Sequence, residues 1–245
     1  MSYKSVFRRY ELKYLLTPSQ REAVLEGILP YMKLDSYGRT TIRNVYMDTD
    51  NYRLIRRSIE KPMYKEKLRI RSYQLADSES TVFVELKKKY RGVVYKRRIA
   101  LPESAAMNWV CGRTESPLDT QISREIDYFM SYYGHLVPSA FLSYEREAYY
   151  ERDGGDFRIT FDDNILARNT DISLRKDVYG LKVLPENRVL MEIKCSGAIP
   201  LWMTDILSRE SIYKTSFSKY GRAYCNYILP ETINSQRKKE LLTNA

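Results

Sequence analysis

Residues 81–101, TVFVELKKKYRGVVYKRRIAL, alternate apolar and charged residues along both arms of what reads as a β-hairpin. Strand residues two apart share a face. Glu85, Lys87 and Lys89 therefore project together from the first arm, and Lys96 and Arg98 from the second, with Arg91-Gly92 as the turn. Such a hairpin must place its charged face either in water or around an anion, and the choice constrains the whole chain.

The same polarity recurs on other strands. Arg9, Glu11 and Lys13 oppose Tyr10, Leu12 and Tyr14, while Arg69 and Arg71 oppose Leu68 and Ile70. Arg158, Thr160 and Asp162 oppose Phe157, Ile159 and Phe161, Glu192 and Lys194 oppose Met191 and Ile193, and Arg146 falls in line with Tyr144. For any one strand, a solvated face is the ordinary reading, because antiparallel sheets commonly have one wet side. Across the set, the polar positions are nearly all Lys, Arg or Glu, and the opposite faces are large and apolar. Strands are expected near 6–15, 42–48, 64–74, 81–90, 93–101, 140–150, 156–162 and 188–195. Helices near 19–29, 103–111, 121–133, 200–209 and 217–228 are available to cover the apolar faces. The expected class is α+β: an eight-stranded antiparallel β-tunnel, or closed barrel, with helices packed outside. It is expected as a single domain over residues 1–230, followed by a polar tail over 231–245. Lys89 and Arg97 read as ordinary surface charge.

With 245 residues and 43% hydrophobic content, the chain can bury a sizeable core. Three scattered cysteines, Cys111, Cys195 and Cys225, form no CxxC pair, which argues against a disulfide framework or a thiolate zinc site. The single histidine, His135, falls in a turn and excludes polyhistidine metal sites. No stretch reaches the ~20 apolar residues of a membrane span, and the N-terminus lacks the apolar centre of a signal peptide, so a cytoplasmic setting is expected. The net charge of +10 points to an anionic partner. If the charged faces turn inward, Lys13, Arg69, Arg71, Lys87, Lys96, Arg98, Arg146, Arg158 and Lys194 become candidate lining groups whose repulsion a polyanion would relieve. Glu11, Glu85 and Glu192 suit a divalent metal bridging phosphate oxygens. The expected ligand is narrow, highly anionic and metal-bound, a triphosphate or a polyphosphate chain, with nucleic acid the weaker alternative.

Several motifs run in order: YELKY, KLRIRSY, VELKKK, YKRRI, EREAYY, RITFDD, LMEIK and FSKYGRAY. Together they resemble the catalytic domain of the vacuolar transporter chaperone (VTC) polyphosphate polymerases, within the triphosphate tunnel metalloenzyme or CYTH-like superfamily, over residues 6–228. The resemblance implies a cationic tunnel in which ATP donates its γ-phosphate to the end of an inorganic polyphosphate chain. Lys13, Arg69, Arg71, Lys87, Arg146 and Arg158 would act on the reacting phosphates, and Lys96, Arg98, Lys194 and Lys219 would hold phosphate or polyphosphate. Glu192, with Glu11 and Glu85, would hold Mn2+ or Mg2+. Arg9 stands where the wider superfamily has the first glutamate of ExExK, which favours the VTC branch over thiamine triphosphatases and class IV cyclases. Without the regulatory domain and membrane helices of eukaryotic members, the chain resembles a stand-alone prokaryotic type. A separate membrane translocating protein is the implied partner, placing the domain peripherally at a membrane. A tunnel tripolyphosphatase or nucleoside triphosphatase, and a non-catalytic polyphosphate-binding module, remain alternatives.

Overall fold

The computed structural model describes residues 6–112 and 114–235. The hairpin of residues 81–101 forms β5 (Thr81–Tyr90) and β6 (Val93–Pro102), joined by a two-residue turn with φ of 45° at Arg91 and 87° at Gly92. Positive φ at both central positions marks the turn whose twist matches that of the flanking strands. The other main strands are β1 (Val6–Leu16), β3 (Thr40–Asp48), β4 (Tyr64–Ser72), β7 (Val137–Glu151), β8 (Arg158–Arg168) and β10 (Val189–Cys195). Short strands β2 (Met32–Leu34), β9 (Leu181–Lys182) and β11 (Lys214–Thr215) attach to β7, β8 and β1. Pairing runs β3-β4-β5-β6-β1-β10-β8-β7, all antiparallel, and β7 pairs back to β3. Eight strands thus ring a common axis, and the ring has no free edge.

Helices cover the ring as the alternation requires. On one side Val45, Leu68, Val84 and Ile99 pack under Trp109 of α3 (Glu103–Gly112) and Ile126 and Phe129 of α4 (Gln121–Tyr133). On the other, Leu16, Ile159, Phe161 and Met191 meet Val24 and Ile28 of α1 (Pro18–Ile28) and Met203 and Ile206 of α5 (Leu201–Arg209). Each fully buried aliphatic or aromatic side chain contributes about 1.5–3 kcal/mol, so the outward faces hold the ring closed. Local signals start the helices where expected. Thr17 and Gln20 form a capping box with Pro18 in the first turn, and Thr120 and Ser123 form a second box.

A third apolar cluster lies at one end of the ring. Ile42, Tyr46, Leu142, Tyr144 and Leu190 pack there against Phe217, Tyr220 and Tyr224. Phe217 precedes, and Tyr220 and Tyr224 belong to, a closing segment made of α6 (Lys219–Ala223) and a π-helical turn (Tyr224–Ile228), with helix continuing to residue 235. The expected tail over 231–245 is therefore helical as far as 235, and residues 236–245 lie outside the described residues. Asp48, fully buried, locks this end. It accepts from the backbone N–H of Leu54 (2.8 Å) and Ile55 (3.0 Å) at the start of α2 (Arg53–Ile59), and from Tyr220 Oη (3.0 Å). One carboxylate thus caps α2, a role its own N-cap residue Tyr52 does not fill, and fixes the helix that carries Lys219.

The strands exceed their expected bounds mainly at β7 and β8. Past the expected end at 162, Asp163-Asn164 stays within β8, with φ 43° at Asn164 opposite a register shift between Ser143 and Glu145. Asparagine tolerates that conformation, so the pair forms an irregularity within the strand rather than ending it.

Candidate functional site

Inside the ring lies a cavity of about 310 Å³. Its wall includes thirteen lysines and arginines but two carboxylates, Glu11 and Glu192. That imbalance is sustained by two further carboxylates set behind the wall. Glu85, with no exposed surface, accepts from Arg69 Nε (2.8 Å) and Nη2 (2.7 Å) through one oxygen and from Arg98 Nε (2.7 Å) through the other. Lys96 Nζ lies 3.3 Å and Arg71 Nε 3.9 Å from the same carboxylate. Burial opposes the Glu85 charge, but Arg71, Arg69, Lys96 and Arg98 outweigh it and hold the carboxyl well below its usual range. Asp162, also fully buried, takes a two-pronged bond from Arg146 (2.6 and 2.7 Å) and a further bond from Lys219. Arg71 is held without a short ion pair, donating to Asn44 Oδ1 and Tyr144 Oη at 2.9 Å each. These forks are fixed before any ligand arrives.

The cavity-facing carboxylates sit on the β1–β10 pair. Lys13 is in register with Glu192, and Glu11 with Lys194. Glu192 is met by Lys13 (3.3 Å), Lys194 (3.2 Å), Lys219 (3.2 Å) and Arg146 (3.6 Å). Although burial opposes its charge, these cations hold its carboxyl well below the usual range. Glu11 accepts from Lys87 and senses the charge of Glu192. Among the described residues, no group of three or more His, Cys, Asp or Glu is placed to hold a metal. A pair of carboxylates facing a cationic cavity fits a hard cation that takes its remaining oxygens from substrate phosphates and water, as Mg2+ commonly does.

Most residues expected at the site do meet here. Lys13, Arg69, Arg71, Lys87, Lys96, Arg146, Lys194, Lys219, Glu11 and Glu192 all line the cavity. Arg98 and Glu85 stand behind the wall and are bonded to each other. Arg158 lies off the wall, 3.8 Å from Asp35 and with its guanidinium 4.4 Å from the centre of the Tyr150 ring. Lys89 lines the cavity, contrary to its expected surface role, whereas Arg97 pairs outside with Glu125 at 3.1 Å. Asp162, Arg9, Lys65, Lys67 and Lys214 were not singled out as site residues. Lys65 and Lys67 continue the face of Arg69 and Arg71 in YKEKLRIR, a signal present in the alternation. Lys214 sits on a two-residue strand, where no alternation exists to read.

The profile of the VTC domain matches residues 8–228, so the chain belongs to the VTC-domain family, as its motifs indicated. Two solved structures share the fold. One is a candidate adenylate cyclase from Bacillus halodurans, with a TM-score of 0.55 and 15% identity over 88% of this chain and 96% of that one. The other is a candidate adenylyl cyclase from Hippeastrum described as having a dominant triphosphatase activity, with a TM-score of 0.54 and 16% identity over 86% and 93% of the two chains. At such identities the likeness is one of fold. The tunnel metalloenzyme family implies a divalent metal ion. No curated protein matches the sequence. Among the described residues, no helix is long and apolar enough to cross a membrane.

Two outcomes follow from this electrostatic arrangement. Glu85→Gln should lower stability by about 3–5 kcal/mol in urea unfolding, because four cations lose their shared counter-charge, and added tripolyphosphate should recover part of the loss. An unchanged unfolding midpoint would show that Glu85 does not hold the arginines. The second concerns Lys96, whose ammonium is pushed down to about 7 by burial, opposed by Glu85 and reinforced by Arg98, Arg71 and Arg69. The unfolded chain keeps this proton to near 10.5 while the folded chain releases it near 7. Its penalty on folding is therefore full below pH 7 and fades as pH rises between those values. A bound polyanion favours the charged form, so binding of tripolyphosphate at pH 8 should take up protons. Calorimetry in buffers of different ionisation enthalpy reads this directly. No dependence on buffer would exclude such coupling.

Proposed function

We propose that this chain is a metal-dependent phosphotransferase that extends inorganic polyphosphate using ATP. The observation that carries the reading is the cavity wall itself, thirteen cations against two carboxylates, with Arg69 and Arg146 gripped from behind by Glu85 and Asp162. A wall of this kind suits a linear anion of high charge density. The terminal oxygen of a polyphosphate chain attacks the γ-phosphorus of ATP. A new P–O bond forms in line as the bond to the β-phosphate oxygen breaks, and ADP leaves. Such transfer needs no protein nucleophile. It needs two anions aligned and the charge on the equatorial oxygens neutralised.

In this reading Arg69, Arg71 and Arg146 present forks to those oxygens. Lys13, Lys87, Lys96, Lys194 and Lys219 add point charge around them. Arg98 positions Glu85, and Glu85 orients Arg69 rather than meeting a metal, since both its oxygens are engaged. Arg158, off the wall beside Asp35 and Tyr150, is not among the groups that meet the reacting phosphates. Glu192, with Glu11, would hold Mn2+ or Mg2+, which supplies charge neutralisation at bridging phosphate oxygens. A cytoplasmic setting and a separate membrane-translocating partner go with this reading and rest on the family resemblance.

A tripolyphosphatase or nucleoside triphosphatase reading has one observation in its favour: the Hippeastrum protein that shares the fold is described by its triphosphatase activity. The same wall would serve, with water as the attacking group. Incubation with ATP, Mn2+ and a short polyphosphate primer, with products resolved by length, separates the two. Long polymer with ADP is expected, and Arg146→Ala should reduce its rate about 10²–10³-fold. Orthophosphate without chain extension would overturn the polymerase reading in favour of hydrolysis.

A further inference from the structure

The two ends of the cavity are built differently. At one, Arg69 and Arg146 are gripped by buried carboxylates. Toward the start of β4 and the end of β5 the cations are lysines: Lys65 is in register with Lys89, and Lys67 with Lys87. Lys214 of β11, which is exposed, also lines the cavity. Among the described residues, no carboxylate lies within 4.0 Å of Lys65, Lys67, Lys89 or Lys214. The partners of two of them are neutral. Lys65 Nζ donates to the Ser58 carbonyl at 3.1 Å and Lys67 Nζ to Ser218 Oγ at 2.8 Å. Burial, followed by the nearby lysines, pushes Lys67 well below the usual amine range and lowers Lys65 and Lys89. Lys65, Lys67 and Lys89, grouped with no carboxylate in ion-pair range, weaken the empty fold, so closing the ring does not account for them.

We propose that this lysine end is a separate subsite for the distal phosphates of a linear polyphosphate, one that reads chain length and takes no part in transfer. The inference rests on the polyphosphate reading of the tunnel and deepens it. Lys65 lies four residues from Arg69 on β4, about 13 Å along the strand. A tripolyphosphate seated on Arg69 and Arg71 ends before Lys65 and Lys89, while a longer chain crosses both sets. The chemistry differs in the same direction. Guanidinium forks fix phosphate oxygens at set angles, whereas ammonium groups on flexible stems hold charge without fixing register. A repeating anion can therefore shift along the lysines while its end stays clamped by the arginines.

The test is equilibrium binding of two probes, tripolyphosphate and a linear polyphosphate several times longer, at one fixed salt concentration and without nucleotide or metal. For Lys65→Gln/Lys89→Gln, affinity for the long chain should fall about tenfold or more and that for tripolyphosphate should stay within about twofold. The melting temperature of this double variant should rise, since two repelling charges are gone. Equal loss for both probes, or loss for neither, would overturn the subsite. If the double variant does not fold, Lys89→Gln alone gives the same comparison with the same two outcomes. Because no turnover is measured, absence of polymer synthesis would overturn the polymerase reading and leave this comparison standing. Failure of the unaltered protein to bind either probe would sink the polyphosphate reading itself.

Discussion

Repulsion among the cations inside the ring is the constraint to which the rest of the structure answers. A closed sheet would ordinarily fill its interior with apolar side chains, and here it holds ammonium and guanidinium groups instead. Two buried carboxylates make that tolerable. Glu85 ties together Arg69, Arg98 and Lys96 from three positions on adjacent strands, and Asp162 ties Arg146 on β7 to Lys219 on the closing helix. Each is worth less as a source of stability than as a device that fixes direction, because a buried ion pair rarely repays its desolvation in full. What it secures is a fixed direction for the guanidinium groups of Arg69 and Arg146 in the cavity wall.

Stability then has to come from elsewhere, and the outside of the ring supplies it. The apolar faces that alternate with the charged ones are sealed by α1 and α5 on one side and α3 and α4 on the other. Asp48 couples this packing to the site. By capping α2 and holding Tyr220, it sets the position from which Lys219 reaches both Asp162 and Glu192. A residue outside the cavity wall thus helps to place one of the cations in it.

Much of this was legible in the sequence because a period of two is a strong signal. VELKKK, YKRRI and KLRIRSY each declare a charged and an apolar face, and helices of suitable length stand ready to cover the latter. Closure into a ring follows from that polarity, as does the inward direction of Arg69, Lys87 and Glu192. Depth behind the wall was not legible. Alternation places Glu85, Arg98 and Asp162 on the same face as their neighbours, but only cross-strand register shows that they grip the lining from behind. Arg158 shares that face too, yet the ring sets it beside Asp35 and Tyr150. The continuation of β8 past 162, through Asp163-Asn164, rests on pairing with β7.

The most direct measurement of the central claim, that the charge lies inside to hold a phosphate chain, is a structure with a non-hydrolysable ATP analogue and a divalent cation. Phosphates within the ring, bonded to the guanidinium groups of Arg69 and Arg146 with Glu192 at the cation, are the expected result. Phosphates bound on the outer surface, with the Arg69–Glu85 and Arg146–Asp162 pairs facing an unfilled cavity, would contradict it.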